Sequence, residues 1–177
     1  MAAPHPVWQL VDRSESGCRL HGVVPDLKGV VPGALLALRE RENVPWTLVV
    51  VRRLKKLAGN HVDLGVEYVG RDPRCIRLAM IDDHDANQGE SEDERNRSFA
   101  GLYLPESSRH PRMPIKTLIV QAHEFVDDRC LSLQSADAAY TIRLKEPIEE
   151  QGEFTWLPYE VIDRQSADSP ARDQLAA

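Results

Sequence analysis

Asp12, Ser14 and Gly17 form a D-x-S-x-x-G pattern in the stretch LVDRSESGCRL, an acid, a hydroxyl and a glycine set between two short apolar runs. An aspartate accepts backbone N–H groups or the N–H edge of a purine. A serine hydroxyl donates to a phosphate, and a glycine takes positive φ or lets a ligand approach the backbone. Together these capabilities suit the holding of a nucleotide. The same residues also build an Asx-type turn between WQLV and CRLHGV with no ligand at all, so the surrounding elements decide between the two.

Those elements are strands. In HVDLGVEYV, Val62, Leu64, Val66 and Tyr68 share one face while His61, Asp63, Gly65 and Glu67 share the other, the alternation of a half-buried strand. WTLVVVRRLKK is its hairpin partner, because LAGN between them supplies the Gly and Asn of a tight connection. VWQLV, CRLHGVV, ALLALRE and CIRLAMI add further short strands. After residue 98 the pattern resumes in FAGLYLP, IKTLIVQ, RCLSLQ, YTIRLKE and FTWLPYEVI. This spacing predicts an all-β chain: a small antiparallel barrel over residues 1–80, then a second β-rich lobe over residues 99–165. Between them IDDHDANQGESEDERNRS, residues 81–98, is too polar to offset its ordering entropy and reads as an acidic linker or loop. Residues 166–177 read as a flexible tail.

The chain has 177 residues, 42% of them hydrophobic and 28% charged, which is the composition of a globular protein with a real core. A net charge of −6 argues against nonspecific nucleic-acid binding, which needs a basic face. No apolar run is long enough to span a bilayer, and MAAPHPVWQLVDRSES lacks the regions of a signal peptide, so the expected location is cytoplasmic, without membrane insertion. Cys18, Cys75 and Cys130 are widely spaced, with no C-x-x-C, and read as reduced and mostly buried. The sequon-like NRS at Asn96 carries no meaning in that compartment.

The order of strand, D-x-S-x-x-G, apolar strand, VVPGALLALRE, WTLVVVRRL and HVDLGVEYVG resembles the PilZ family over roughly residues 7–80. The matching features are Gly33 ahead of its strand, the V-V-R run at Val50, Val51 and Arg52, and the ending from Gly65 to Tyr68. The resemblance implies a six-stranded antiparallel barrel that acts as a signalling receiver, not an enzyme. Its implied ligand is the bacterial second messenger cyclic di-GMP, with no cofactor and no metal. It further implies that Asp12 accepts from guanine or fixes the turn, that Ser14 donates to a phosphate or base, and that Gly17 permits close approach. Gly65 lies on the neighbouring strand, and Arg52 is a phosphate partner.

One family feature has no counterpart. The R-x-x-x-R arm, whose guanidinium forks grip phosphates and guanine Hoogsteen edges, should precede the first strand, yet no Arg precedes Asp12. Arg13, Arg52 and Arg53 are the available substitutes, none at the family's position. Either the chain is the C-terminal part of a longer protein, or it keeps the barrel without the ligand. In the second case it docks another protein or another domain of its parent chain. A missing first strand would leave a sheet edge open, and the strands after residue 98 are expected to cover it, as a second lobe or within one composite barrel.

Other signals carry less. Asp83, Asp85, Asn87, Ser91 and Glu94 stand at calcium-loop spacing, but Gln88 occupies the position of the turn glycine, so the segment reads as a solvated acidic loop. VRRLKK, residues 51–56, reads as a solvated hairpin end with Leu54 buried, or as an anion-binding edge. His84 and the pair His123 and Glu124 read as surface residues, since HEFVD lacks the second His of a zinc helix. No G-x-S-x-G elbow, Walker loop or G-x-G-x-x-G is present.

Overall fold

The computed structural model describes residues 7–24, 28–81, 97–107, 116–134 and 138–166. Among the described residues, helix is confined to two 3₁₀ turns, Ala58–Asn60 and Ala122–Glu124, and the fold is all-β. The chain divides into two compact units that are not consecutive in sequence. The first takes the described residues of Met1–Pro73, Leu104–Lys116 and Gln151–Glu153, and the second takes the rest.

The first unit is a six-stranded antiparallel barrel. Its strands are β1 (Gln9–Arg13), β2 (Gly17–Val23), β3 (Leu35–Leu38), β4 (Thr47–Lys56) and β5 (His61–Arg71), in the order β1-β2-β5-β4-β3. The short β8 (Glu106–Ser107) pairs with the end of β5. The alternation expected of β5 holds: Val62, Leu64 and Val66 are 1%, 1% and 5% exposed. They pack with Cys18, Leu20, Val49 and Val51 into one core, and each side chain so buried stabilises by about 1.5–3 kcal/mol. The β4 to β5 connection uses Gly59 at φ 66° and Asn60 at φ 61°, the left-handed conformations for which those residue types are suited. Arg13 at the end of β1 is ion-paired with Glu40 beyond β3, so side chains link the two outer strands of the ladder.

Two bulges decide which side chains face outward. Along β4, Val51 pairs with Val66 but Arg53 pairs with Gly65, so Arg52 is an extra residue and the inward positions shift from odd to even numbers. Without that shift Arg53 would point into the core. With it, Leu54 packs against the core while Arg53 and Lys55 stand on the outer face. Along β1, Leu10 pairs with Leu20 and Asp12 with Arg19, so Val11 is the extra residue and Asp12 is set opposite Arg19.

The second unit contains β6 (Arg74–Met80), β7 (Ser98–Leu104), β9 (Thr117–Gln121), β10 (Cys130–Gln134), β11 (Ala138–Leu144), β12 (Glu149–Glu150) and β13 (Phe154–Ser166). Its order is β11-β10-β6-β7-β9-β13-β12, and an added β11 to β13 ladder brings the sheet round on itself. Pro158 sits where β13 leaves β9 and takes up β11 at Tyr159, a position at which a missing N–H is tolerated. Leu78, Leu118, Leu131, Ile142, Leu144 and Leu157 are 0% exposed in its core. Trp156 is 1% exposed, and its indole N–H donates to the Thr117 hydroxyl at 2.9 Å.

The division corrects the expected boundaries. CIRLAMI, assigned above to residues 1–80, is β6 and lies between β7 and β10 of the second unit. The chain leaves the first unit at Pro73, after Asp72 turns at φ 52° with its N–H bonded to the Trp46 carbonyl at 2.9 Å. Nor is 99–165 one uninterrupted lobe, because β8 and residues 151–153 return to the first unit. Strand alternation shows that a segment is half-buried, not which core buries it. Residues 82–96, including the calcium-like spacing and His84, and residues 167–177 of the expected tail lie outside the described residues.

Candidate functional site

The outer face of the first unit carries two cross-strand rows. Ladder register aligns Asp12 on β1, Arg19 on β2, Gly65 on β5 and Arg53 on β4; the next row holds His21, Asp63 and Lys55. Gly65 has no side chain to fill its row, so a groove of about 1030 Å³ opens above it, in the size range of small-molecule sites. All five residues singled out from sequence, Asp12, Ser14, Gly17, Arg52 and Gly65, line this one groove.

Their individual roles are narrower than their types allow. The Ser14 hydroxyl donates to the Gly17 carbonyl at 3.2 Å, and the Ser14 N–H donates to the same oxygen at 2.9 Å, so Ser14 closes the turn between β1 and β2. A Cβ on Gly17 would lie 2.1 Å from the Val66 carbonyl oxygen; the close approach this glycine permits is that of β5. The Tyr68 N–H, bonded to the Ser16 carbonyl at 2.9 Å, pins the same turn. Asp12 is exposed at the groove edge.

Charge is arranged in two layers. Arg52 donates through Nε to Glu67 Oε2 at 2.7 Å, and Arg19 donates through Nη2 to Asp63 Oδ2 at 2.6 Å. Asp63 also meets His21 Nδ1 at 2.7 Å, and the His21 and Arg19 hydrogen bonds hold its carboxyl below the ordinary aspartate range. Arg53 and Lys55 are exposed and carry no ion pair among the described residues. Both line the groove as exposed cations that an incoming anion would meet. Arg13, the third expected substitute, is not in the groove: it turns to Glu40 and Tyr68, and Tyr68 in turn bonds the buried Cys18. Burial pushes both that thiol and the Tyr68 phenol up.

Sequence reasoning did not single out Arg19 or Asp63, because register across strands brings them to the groove, and it reached Lys55 only within VRRLKK as an alternative anion-binding edge. In VVVRRLKK the unbroken apolar run Val49 to Val51 shows no parity of its own, so the bulge could be suspected only from the return of an apolar residue at Leu54 after Arg52 and Arg53. Two other readings change. Of the cysteines only Cys18 is buried, with Cys75 exposed and Cys130 intermediate; all three are free thiols. Glu124, expected at the surface, is 5% exposed and paired with Arg97 at 2.5 Å, with His123 at 3.3 Å. Among the described residues no group of three or more His, Cys, Asp or Glu side chains forms a metal cage, and no helix is long and apolar enough to cross a membrane. Compared with family models, with curated proteins and with solved structures, the chain finds no match.

Proposed function

We propose that the first unit is a nucleotide-signal receiver of PilZ type that binds cyclic di-GMP in the outer groove and relays it through protein contacts, without catalysis. The observation that carries this reading is the convergence of Asp12, Ser14, Gly17, Arg52 and Gly65 on one groove beside Arg53 and Lys55. Arg53 and Lys55 hold the phosphates, and Asp12 accepts from a guanine N–H edge. Ser14 and Gly17 hold the turn that presents Asp12. Isothermal titration with cyclic di-GMP, with GMP as the control for nonspecific phosphate binding, tests this. Saturable micromolar binding, weakened at least tenfold in Asp12→Ala, is expected; equal affinity in Asp12→Ala and wild type overturns it.

A second reading, a ligand-free module that docks another protein, draws on β1. Every residue of that strand is exposed, including Leu10 at 46% and Val11 at 48%, on an outer strand that among the described residues pairs with β2 alone. It is the better account if the titration shows no heat.

A further inference from the structure

Outside the groove, two imidazoles on the outer face of β2 and β5 meet nitrogen to nitrogen. His21 Nε2 and His61 Nδ1 are 3.0 Å apart, with the rings within 25° of parallel and their centroids 5.2 Å apart. Ladder register explains the meeting: His21 is opposite Asp63 and Val23 is opposite His61, so the two histidines are diagonal neighbours on one face. The far nitrogen of His21 is committed, since Nδ1 lies 2.7 Å from Asp63 Oδ1 and donates to that carboxylate. That donation fixes the tautomer and leaves a lone pair on His21 Nε2, 3.0 Å from His61 Nδ1. The arrangement of carboxylate, imidazole and outward lone pair is the one that orients histidine ligands on metals.

We infer that His21 and His61 form a divalent-cation site in which His21 Nε2 and His61 Nδ1 are the two protein ligands and Asp63 positions His21 from behind. Binding exchanges the single proton between the two nitrogens for the metal; that proton moves to His61 Nε2 or to water. Metal–nitrogen bonds of about 2.0–2.1 Å across this separation meet at roughly 90–97°, close to a right angle. A right angle suits adjacent positions of a square-planar or octahedral ion better than the tetrahedral preference of zinc, so the geometry points to Cu²⁺ or Ni²⁺ with water in the remaining positions. The His21 side chain is 30% exposed and His61 is exposed, so an ion reaches both directly. Arg19, which shares Asp63, neutralises the carboxylate while leaving its bond to His21 in place. The site is therefore held by imidazole donors and not by net negative charge. It stands independently of the nucleotide reading.

The probe is CuCl₂ added to the whole chain, followed by electron paramagnetic resonance and by titration against a competing chelator. The expected result is one tightly bound Cu²⁺ with hyperfine coupling to two nitrogens, bound more tightly than Zn²⁺. His21→Gln and His61→Gln should each abolish the two-nitrogen signal and lower affinity at least tenfold. Asp63→Asn should keep both nitrogens and lower affinity about 10- to 100-fold. Circular dichroism of each variant separates loss of the site from loss of the fold, and because both rings face solvent the glutamine variants are expected to fold. Absence of bound Cu²⁺ in the wild type, or a two-nitrogen signal that survives in a folded His61→Gln variant, overturns the proposal.

Discussion

Gly17 and Gly65 border the same groove, yet a methyl group added at each meets different neighbours. At Gly17 it would press on the Val66 carbonyl oxygen at 2.1 Å, and only movement of β2 away from β5 relieves that. At Gly65 the nearest atom is Arg53 Cβ at 3.4 Å, an ordinary contact. Gly17→Ala is therefore expected to cost about 3 kcal/mol or more, near the upper end of single-site effects, while Gly65→Ala stays within about 0.5 kcal/mol of wild type. Urea unfolding of the two variants measures this, and similar losses in both would contradict the packing described. That Asp12, Ser14 and Gly17 share one strand-to-strand turn was legible, because Asp, Ser and Gly are the residue types such a turn uses. Their division of labour was not legible, since it depends on a carbonyl of β5 more than forty positions along the chain from the turn.

The strands themselves could be read from period-2 alternation, and each expected apolar run became one. Bulges are harder, because one inserted residue changes which face a side chain takes without changing composition. In β4 the change of parity at Arg52 carries Arg53 and Lys55 into the groove; in β1 the extra Val11 brings Asp12 opposite Arg19. In β13, just after Pro158, Tyr159 lies beside Tyr103 and Tyr140, and burial, aided by those phenols, pushes its hydroxyl up to about 12. A folded-state value above the unfolded one means that this contribution is intact below the ordinary tyrosine value of 10 and is lost as pH rises from there toward about 12. Unfolding free energy should fall across that window in the wild type, and Tyr159→Phe should flatten the fall. The same slope in both proteins would show that β13 does not bury this phenol.

At the scale of the whole molecule, the order of segments along the chain differs from their order in space. β6 follows directly after the first unit in sequence and yet lies between β7 and β10, with Leu78 at 0% exposure in the second core. Nothing local in CIRLAMI distinguishes one core from the other, which is why a boundary near residue 80 looked natural. A chain beginning at residue 99 lacks this strand and exposes ladder edges on β7 and β10. It is expected to lose cooperative unfolding by circular dichroism, whereas a chain beginning at residue 74 retains every strand of the second unit. Equal cooperativity in the two would place β6 outside the second core. The central claim is that the outer groove of the first unit is where the chain recognises a nucleotide. The most direct measurement is backbone amide NMR of the ¹⁵N-labelled chain during addition of cyclic di-GMP. The account predicts saturable shifts concentrated at residues 12–19, 52–55 and 63–67; shifts confined to the second unit, or none at ligand excess, would contradict it.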